Sequence, residues 1–436
     1  MFAFPKIVSQ RVNFALLLSA FIVNTACSQS TLKEASPVSA GFSAAGIQRI
    51  DSLLKSYTDS NFIAGATALI AREGKIVYYK ATGVENLKTK ETLKRDEIFR
   101  IASQTKAITS VAVMILMDEG KLKLDDPVSK YIDEFKNQVV LDSFTASDVS
   151  YTTVPVKRDI TIRDLLTHSS GIDYAQIGSD AAIAIYRKQG IPGGLGVDNN
   201  ISLGEKMRLL GKLPLLHQPG EKWTYGLNMD LLGYLIEVIS GKPLDRYFQE
   251  KIFGPLGMKD TYFYLPPDKY DRLVAVSTED STGHVLPSGD STDLNGVFYN
   301  NFPATAGTYF SGGGGLSSTV YDYAIFMQML LNNGSYNSTR ILKPASVAMM
   351  SADQIPNIPF GDQKFGLGFA VSTKESQARS PLSPGSYGWG GFFSTVYWID
   401  PEKKLVAELY LNQFPNSHRD IHEKFQQLVY DALIKK

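Results

Sequence analysis

The segment Ile101-Ala102-Ser103-Gln104-Thr105-Lys106 sets a serine three residues before a lysine, directly ahead of an apolar run from Ala107 to Met117. On a helix, residues three apart stand one above the other, with about 5–6 Å between Cβ atoms, so the hydroxyl and the amine can meet. Such a pair is a candidate nucleophile and its base. A lysine serves as a base near neutral pH only where the ammonium form is disfavoured, and both burial and the positive end of a helix do this. The run with Ile108, Val111, Val113, Met114, Ile115, Leu116 and Met117 is apolar on nearly every side, the mark of a helix sunk in a core, and Lys106 falls in its first turn.

Spacing alone does not single Ser103 out, because Ser30 with Lys33 and Ser52 with Lys55 repeat it; there a helix cap and a solvated lysine account for the residues. Two other places supply company for Ser103. Gly220-Glu221-Lys222-Trp223-Thr224-Tyr225 precedes a segment in which Leu231, Leu235 and Ile239 share a face with Leu232 and Ile236. If Tyr225 meets Ser103 and Lys106, its phenol can relay a proton to a leaving group; alone, it reads as a packed ring with a wet hydroxyl. Ser386-Tyr387-Gly388-Trp389-Gly390-Gly391-Phe392 opens the last β-rich part. Glycines in a strand mark a bulge or a close backbone approach, and such an edge can present an amide N–H to a developing oxyanion beside the N–H of Ser103. The plainer reading is a kinked strand with a buried tryptophan.

The run Gly312 to Gly315 lacks the Lys-Ser/Thr of a phosphate loop and reads as a tight turn before a helix from Val320 to Leu331, capped by Ser317 or Ser318. Of His168, His217, His284, His418 and His422, only the last two have a spacing that could pair on a metal, and neither metal nor cofactor is expected. No Gly-x-Ser-x-Gly nucleophile elbow occurs.

The elements that must position these residues follow from periodicity. Gln48 to Tyr57 has helical spacing, and Ala64 to Tyr79 reads as two strands around Glu73-Gly74. The middle is mostly helical in pattern, broken by loops such as 191–196, with Gly241 placed to stop one helix and Pro243 to begin the next. A second hairpin joins Phe392–Ile399 to Lys404–Leu411, and a helix near Ser417 to Ile434 ends the chain. Strands at both ends with helices between imply an α+β fold: an antiparallel sheet flanked by helices, with an inserted helical lobe. The α/β lobe is drawn at about 44–105 and 306–434 and the helical lobe at about 106–305, with a small-molecule cleft between them.

At 436 residues, 44% apolar and 11% aromatic, the chain can bury a large core. Its 44 basic and 44 acidic residues balance, and without a basic run there is no call for nucleic acid. The lack of another long apolar segment excludes a multi-span membrane protein. Residues 1–27 differ, with Lys6 and Arg11 leading into Phe14 to Val23 and then Asn24-Thr25-Ala26-Cys27, the pattern of a secretory signal. Cys27, the single cysteine, stands where a bacterial lipoprotein is acylated. Asn24 occupies a position where that pattern favours Leu, Val or Ile, so ordinary signal cleavage and a plain membrane anchor stay open beside lipidation. Residues 28–43 read as a tether. The expected location is the periplasm or the outer membrane of a bacterium, with membrane contact only through a lipid anchor.

Together these segments resemble the serine β-lactamase and penicillin-binding-protein superfamily, in the branch of class C β-lactamases, D-amino-acid peptidases and family VIII carboxylesterases. Beyond the Ser103 motif, the resemblance rests on Ile160 to Gly171, Pro219-Gly220 leading to Tyr225, Phe253 to Met258, and Gly315 to Thr319, and it covers residues 44–434. It implies that Ser103 is the acylated nucleophile, Lys106 its base and Tyr225 the proton relay, with the N–H groups of Ser103 and Phe392 as oxyanion donors and His168 structural. Two departures choose among activities. Leu227 stands where β-lactamases carry an asparagine, with Asn228 one residue later, and Trp389-Gly390-Gly391 replaces a Lys/His-x-Gly motif. A neutral indole cannot pair a substrate carboxylate, and Trp-Gly-Gly resembles the family VIII pattern. The resemblance therefore implies hydrolysis of ester bonds, ahead of amide bonds, in small neutral acyl substrates. The alternatives are a β-lactamase or D-amino-acid peptidase, or an acyltransferase; a catalytically silent binding protein would not need all three residues.

Overall fold

In the computed structural model, which describes residues 1–3, 31–194, 201–293 and 297–434, strands from both ends of the chain meet in one eight-stranded sheet. We number these strands β1 (Lys33–Glu34), β2 (Gly65–Arg72), β3 (Lys75–Gly83), β4 (Lys364–Phe365), β5 (Ala370–Val371), β6 (Tyr387–Gly391), β7 (Thr395–Asp400) and β8 (Leu405–Tyr410). Their order across the sheet is β1-β3-β2-β8-β7-β6-β5-β4. Only β1 runs parallel to its neighbour.

Side chains alternate between the faces of a strand, and here both faces are apolar, so both must be covered. Ala66, Ala68 and Ile70 of β2, with Trp398 and Ala407, join Ile50 and Leu54 of helix α1 (Ala44–Asp59) and Phe425 and Val429 of helix α6 (Asp420–Asp431) in one core. Leu69, Ala71, Tyr397 and Val406 face the other way, into a larger core shared with helices α2 (Thr105–Asp118), α3 (Ile162–Leu166), α4 (Asn228–Ser240) and α5 (Val320–Leu331). In α2 every residue from Thr105 to Leu116 is buried. Helix α1 starts on a Ser43 cap that accepts the Gly46 N–H. On its outer side Ser52 Oγ donates to the Gln48 carbonyl and Lys55 pairs with Asp59, an ordinary solvated surface.

Local chemistry places the two loops the site depends on. Helix α3 begins with a capping box between Thr161 and Asp164, and Arg158 grips the Asp164 carboxylate through two hydrogen bonds of 2.6 and 2.9 Å. This fixes the exit of α3 into the segment that carries His168. Helix α4 ends at Gly241, whose φ of 68° suits a residue without Cβ.

Four expectations need correction. The described part of the segment read as a tether, residues 31–43, is packed onto the domain, with Lys33–Glu34 paired to β3 and Leu32 and Phe42 buried. Helix α5 begins where its periodicity says, but Thr319 caps it, accepting the Asp322 N–H; Ser317 and Ser318 instead form a short strand against Phe99–Arg100. The second hairpin starts at Thr395, and the Tyr387–Gly391 segment is a strand of its own, so Phe392 stands in the turn between them. The middle of the chain also holds a hairpin, Val139–Thr145 with Ser150–Pro155, where Val and Thr outweigh the helical pattern. The segment carrying Cys27 lies outside the described residues.

Gly391 is where the sheet edge meets the Ser103 turn. A Cβ there would lie 2.5 Å from the Ile101 carbonyl oxygen and 2.2 Å from Thr395 Oγ1. Gly391→Ala is therefore expected to destabilise the protein by about 1–3 kcal/mol through overpacking, read as a lowered urea midpoint; an unchanged midpoint would show that the edge has room to spare.

Candidate active site

Ser103 sits in a single 3-10 turn, Ala102–Gln104, that runs directly into α2. Ala102 before it has a φ of 43°, a conformation that a residue with a Cβ adopts only under constraint. The constraint is visible on both sides. The Ile101 N–H donates to the Leu316 carbonyl at 3.1 Å, while the Gln104 side-chain oxygen and carbonyl accept from the hydroxyls of Tyr410 and Tyr323 at 2.6 and 3.0 Å. The serine is held on a rigid turn and its Oγ faces the cavity.

Lys106, one turn further, is only 2% exposed. Its Nζ donates to Ser103 Oγ at 3.1 Å and to the Gly313 carbonyl at 2.6 Å, and it lies 4.6 Å from the centre of the Tyr225 ring. The Tyr225 hydroxyl donates to Ser103 Oγ at 2.7 Å, and the Trp389 indole N–H donates to that hydroxyl at 3.2 Å. Ser103, Lys106, Tyr225 and Trp389, which are dispersed along the chain, thus form one connected set of hydrogen bonds.

The loop that carries Tyr225 is held by the segment after α3. The Thr224 N–H donates to the His168 carbonyl at 2.7 Å and the Gly220 N–H to Ser169 at 2.8 Å. His168 Nδ1 takes the Asn228 amide at 3.0 Å and the Gly226 N–H at 3.4 Å. Burial, and next the charge of Lys106, push the His168 pKa well below its ordinary value, so the ring is neutral and accepts at Nδ1. His168 acts as a positioning residue for the Tyr225 loop.

The remaining candidates divide. Phe392 lines the cavity beside Ser103 and Tyr225, one residue past Gly391, the last paired residue of β6. Trp389 and Gly390 are paired with Tyr397 and Val396 in the sheet. Leu227 is fully buried at the start of α4. Asn228 is also buried, and Ser170 and His168 occupy its amide, so neither Leu227 nor Asn228 is among the described residues lining the cavity.

Sequence reasoning missed three contributors. The Gly313 carbonyl, inside a run read only as a tight turn, is a partner of the Lys106 amine. Tyr174 lines the cavity with its ring 5.6 Å from Lys106 Nζ. Asp230 lines it as well, fully buried, and burial raises its carboxyl to about 6. An acidic residue in the first turn of a largely apolar helix was an available signal for it.

Comparison with known proteins identifies the family. The sequence profile of the family described as Beta-lactamase matches residues 50–431. A protein of Escherichia coli O157:H7, named as a candidate D-alanyl-D-alanine carboxypeptidase, is 30% identical over 416 residues, covering 91% of this chain and 89% of the relative. Esterase EstB of Burkholderia gladioli is 28% identical over 375 residues, covering 84% and 90%. Among solved structures, EstCE1, described as a hydrolase with promiscuous acyltransferase activity, superposes with a TM-score of 0.76 at 26% identity, covering 88% of this chain and 98% of its own. The chain belongs to the beta-lactamase family.

Proposed function

We propose that this protein is a serine hydrolase that cleaves esters of small neutral acyl groups through an acyl-enzyme on Ser103. The observation that carries this reading is the convergence of the Lys106 amine and the Tyr225 hydroxyl on one atom, Ser103 Oγ, at 3.1 and 2.7 Å.

On this reading each group has a step. With one N–H of Lys106 held by the Gly313 carbonyl, the amine, once it has given up its extra proton, would aim its lone pair at Ser103 Oγ and take the hydroxyl proton as Oγ attacks the ester carbonyl. The developing oxyanion would meet the backbone N–H groups of Ser103 and Phe392. Tyr225, bonded to Oγ, would deliver a proton to the departing alcohol oxygen and receive one from Lys106. Water then enters, and the same groups run in reverse to release the acid.

Two features favour esters over β-lactams and peptides that carry a carboxylate. No described lining residue of the cavity bears a cationic side chain. Trp389, at the place where relatives that recognise penicillin carry a cation, spends its N–H on Tyr225. The names of EstB and EstCE1 support an esterase-type hydrolase, and the acyltransferase activity described for EstCE1 supports acyl transfer as a second outcome. Residues 1–27 support export, with Cys27 as a lipid attachment point that would leave the catalytic domain on a membrane surface.

Kinetics on p-nitrophenyl butyrate test the assignments. Ser103→Ala is expected to lose at least about a thousandfold in kcat/KM while keeping its thermal midpoint; turnover near the parent rate would overturn the reading. Tyr225→Phe is expected to cost about a hundredfold in kcat, the range for a lost proton relay. Trp389→Phe, which removes one hydrogen bond to that hydroxyl, is expected to cost only about two- to tenfold. Equally small losses in the two variants would mean that the phenol relays no proton. If an added alcohol diverts the product from acid to a new ester, the acceptor range widens without changing the Ser103 step.

A further inference from the structure

The cavity beside Ser103 contains a carboxylate that the protein does not satisfy. Asp230 is fully buried in the first turn of α4 and lines the cavity, yet neither of its oxygens has a well-formed hydrogen bond. The Ser311 hydroxyl, the charge of Lys106 and the Gly313 N–H all favour its charged form, but burial outweighs them. The hydroxyls of Ser311, which lines the cavity, and of Tyr309, which does not, are buried beside the carboxylate without a well-formed hydrogen bond. The hydrogen bonds of the Lys106 amine go to Ser103 and Gly313, so its attraction to the carboxylate acts at a distance.

The space in front of the carboxylate is kept clear by glycine. A Cβ on Gly313 would lie 2.4 Å from Asp230 Oδ2, and Asp230 is the single charged side chain among the described lining residues. Buried polar groups are normally paired, and leaving the carboxylate and the Ser311 hydroxyl at the cavity wall without well-formed partners is costly unless a ligand completes them.

We propose that Asp230, with Ser311, receives a hydrogen-bond donor of the substrate, so that the preferred ester carries a hydroxyl or amino group on the part entering this end of the cavity. The inference rests on the ester-hydrolase reading and narrows it. A carboxylate only accepts, whereas the Ser311 hydroxyl both donates and accepts. A hydroxyl or an ammonium therefore fits both, an alkyl chain leaves them desolvated, and a carboxylate is repelled. Sites built to hydrogen-bond a substrate group reject analogues that lack it far more strongly than apolar pockets reject a missing methylene. With the Asp230 carboxyl at about 6, the acceptor is charged at neutral pH, and the preference for a donor should weaken as pH falls through that value.

The test compares kcat/KM for p-nitrophenyl butyrate, 3-hydroxybutyrate and 3-aminobutyrate in the intact protein. The expected result is a preference of at least about tenfold for both donor-bearing esters over butyrate, lost in Asp230→Ala. Asp230→Asn should keep much of the hydroxyl preference and lose that for the amine, which separates the two sources of the donor. Turnover of all three esters at equal rates, or a preference untouched in Asp230→Ala, would overturn the inference while leaving the ester hydrolase standing. If the parent protein turned over none of them, the ester reading would fall, and the relative rates at which the three acyl groups accumulate on Ser103, read by intact mass, would decide the role of Asp230. If Asp230→Ala did not fold, the pH dependence of the preference in the parent protein decides: a decline through about pH 6 supports it and a flat ratio contradicts it.

Discussion

A lysine amine buried to 2% exposure must be hydrogen-bonded where it lies, and the site is built around meeting that demand. Four contacts tie the start of α2 and the strand before it to the glycine turn. Thr109 donates to the Gly312 carbonyl at 2.7 Å, Lys106 to Gly313 at 2.6 Å, and the Leu316 N–H to Thr105 Oγ1 at 3.1 Å, while Leu316 receives the Ile101 N–H at 3.1 Å. The turn can lie this close to α4 only because it lacks side chains: a Cβ on Gly312 would sit 2.4 Å from the Met229 carbonyl oxygen. The same carbonyl that satisfies the buried amine also orients it toward Ser103, so fold stability and chemistry share one contact.

Two further approaches complete the arrangement, and each has its own structural origin. The sheet edge reaches the serine because Gly391 admits the Ile101 carbonyl, which brings the turn containing Phe392 beside Ser103. The tyrosine loop reaches it because α3, fixed by the Arg158–Asp164 pair and its capping box, delivers a neutral His168 whose Nδ1 accepts from Asn228 and Gly226. Trp389 connects the two approaches through its hydrogen bond to Tyr225. Trp389, which the sequence offers as a neutral residue in place of a cation, thus also holds the phenol.

What the sequence made legible was local. The serine and lysine could be read because three residues of helix set their distance, and the antiparallel sheet of both termini because period-two runs stand at both ends of the chain. Tyr225 became a candidate through resemblance, since nothing in its own neighbourhood says which of many tyrosines reaches Ser103. Gly313 and Asp230 stayed hidden because their roles exist only when α2, α4 and the turn before α5 are brought together. The shift of Phe392 from strand to turn has a similar cause: Gly390 and Gly391 still pair with Val396 and Thr395, so the chain reverses only after them. Asn228, adjacent to the position that an amide occupies in β-lactamases, turns inward because His168 and Ser170 claim it.

The central claim is that Lys106 and Tyr225 make Ser103 Oγ the atom that accepts the acyl group. Acid quenching of the protein during turnover of p-nitrophenyl butyrate, followed by peptide mass mapping, tests it most directly. The expected result is a butyryl group on the peptide containing Ser103 that decays once the ester is consumed. A butyryl group on any other residue, or hydrolysis in which no acyl group is carried by the protein, would contradict the account.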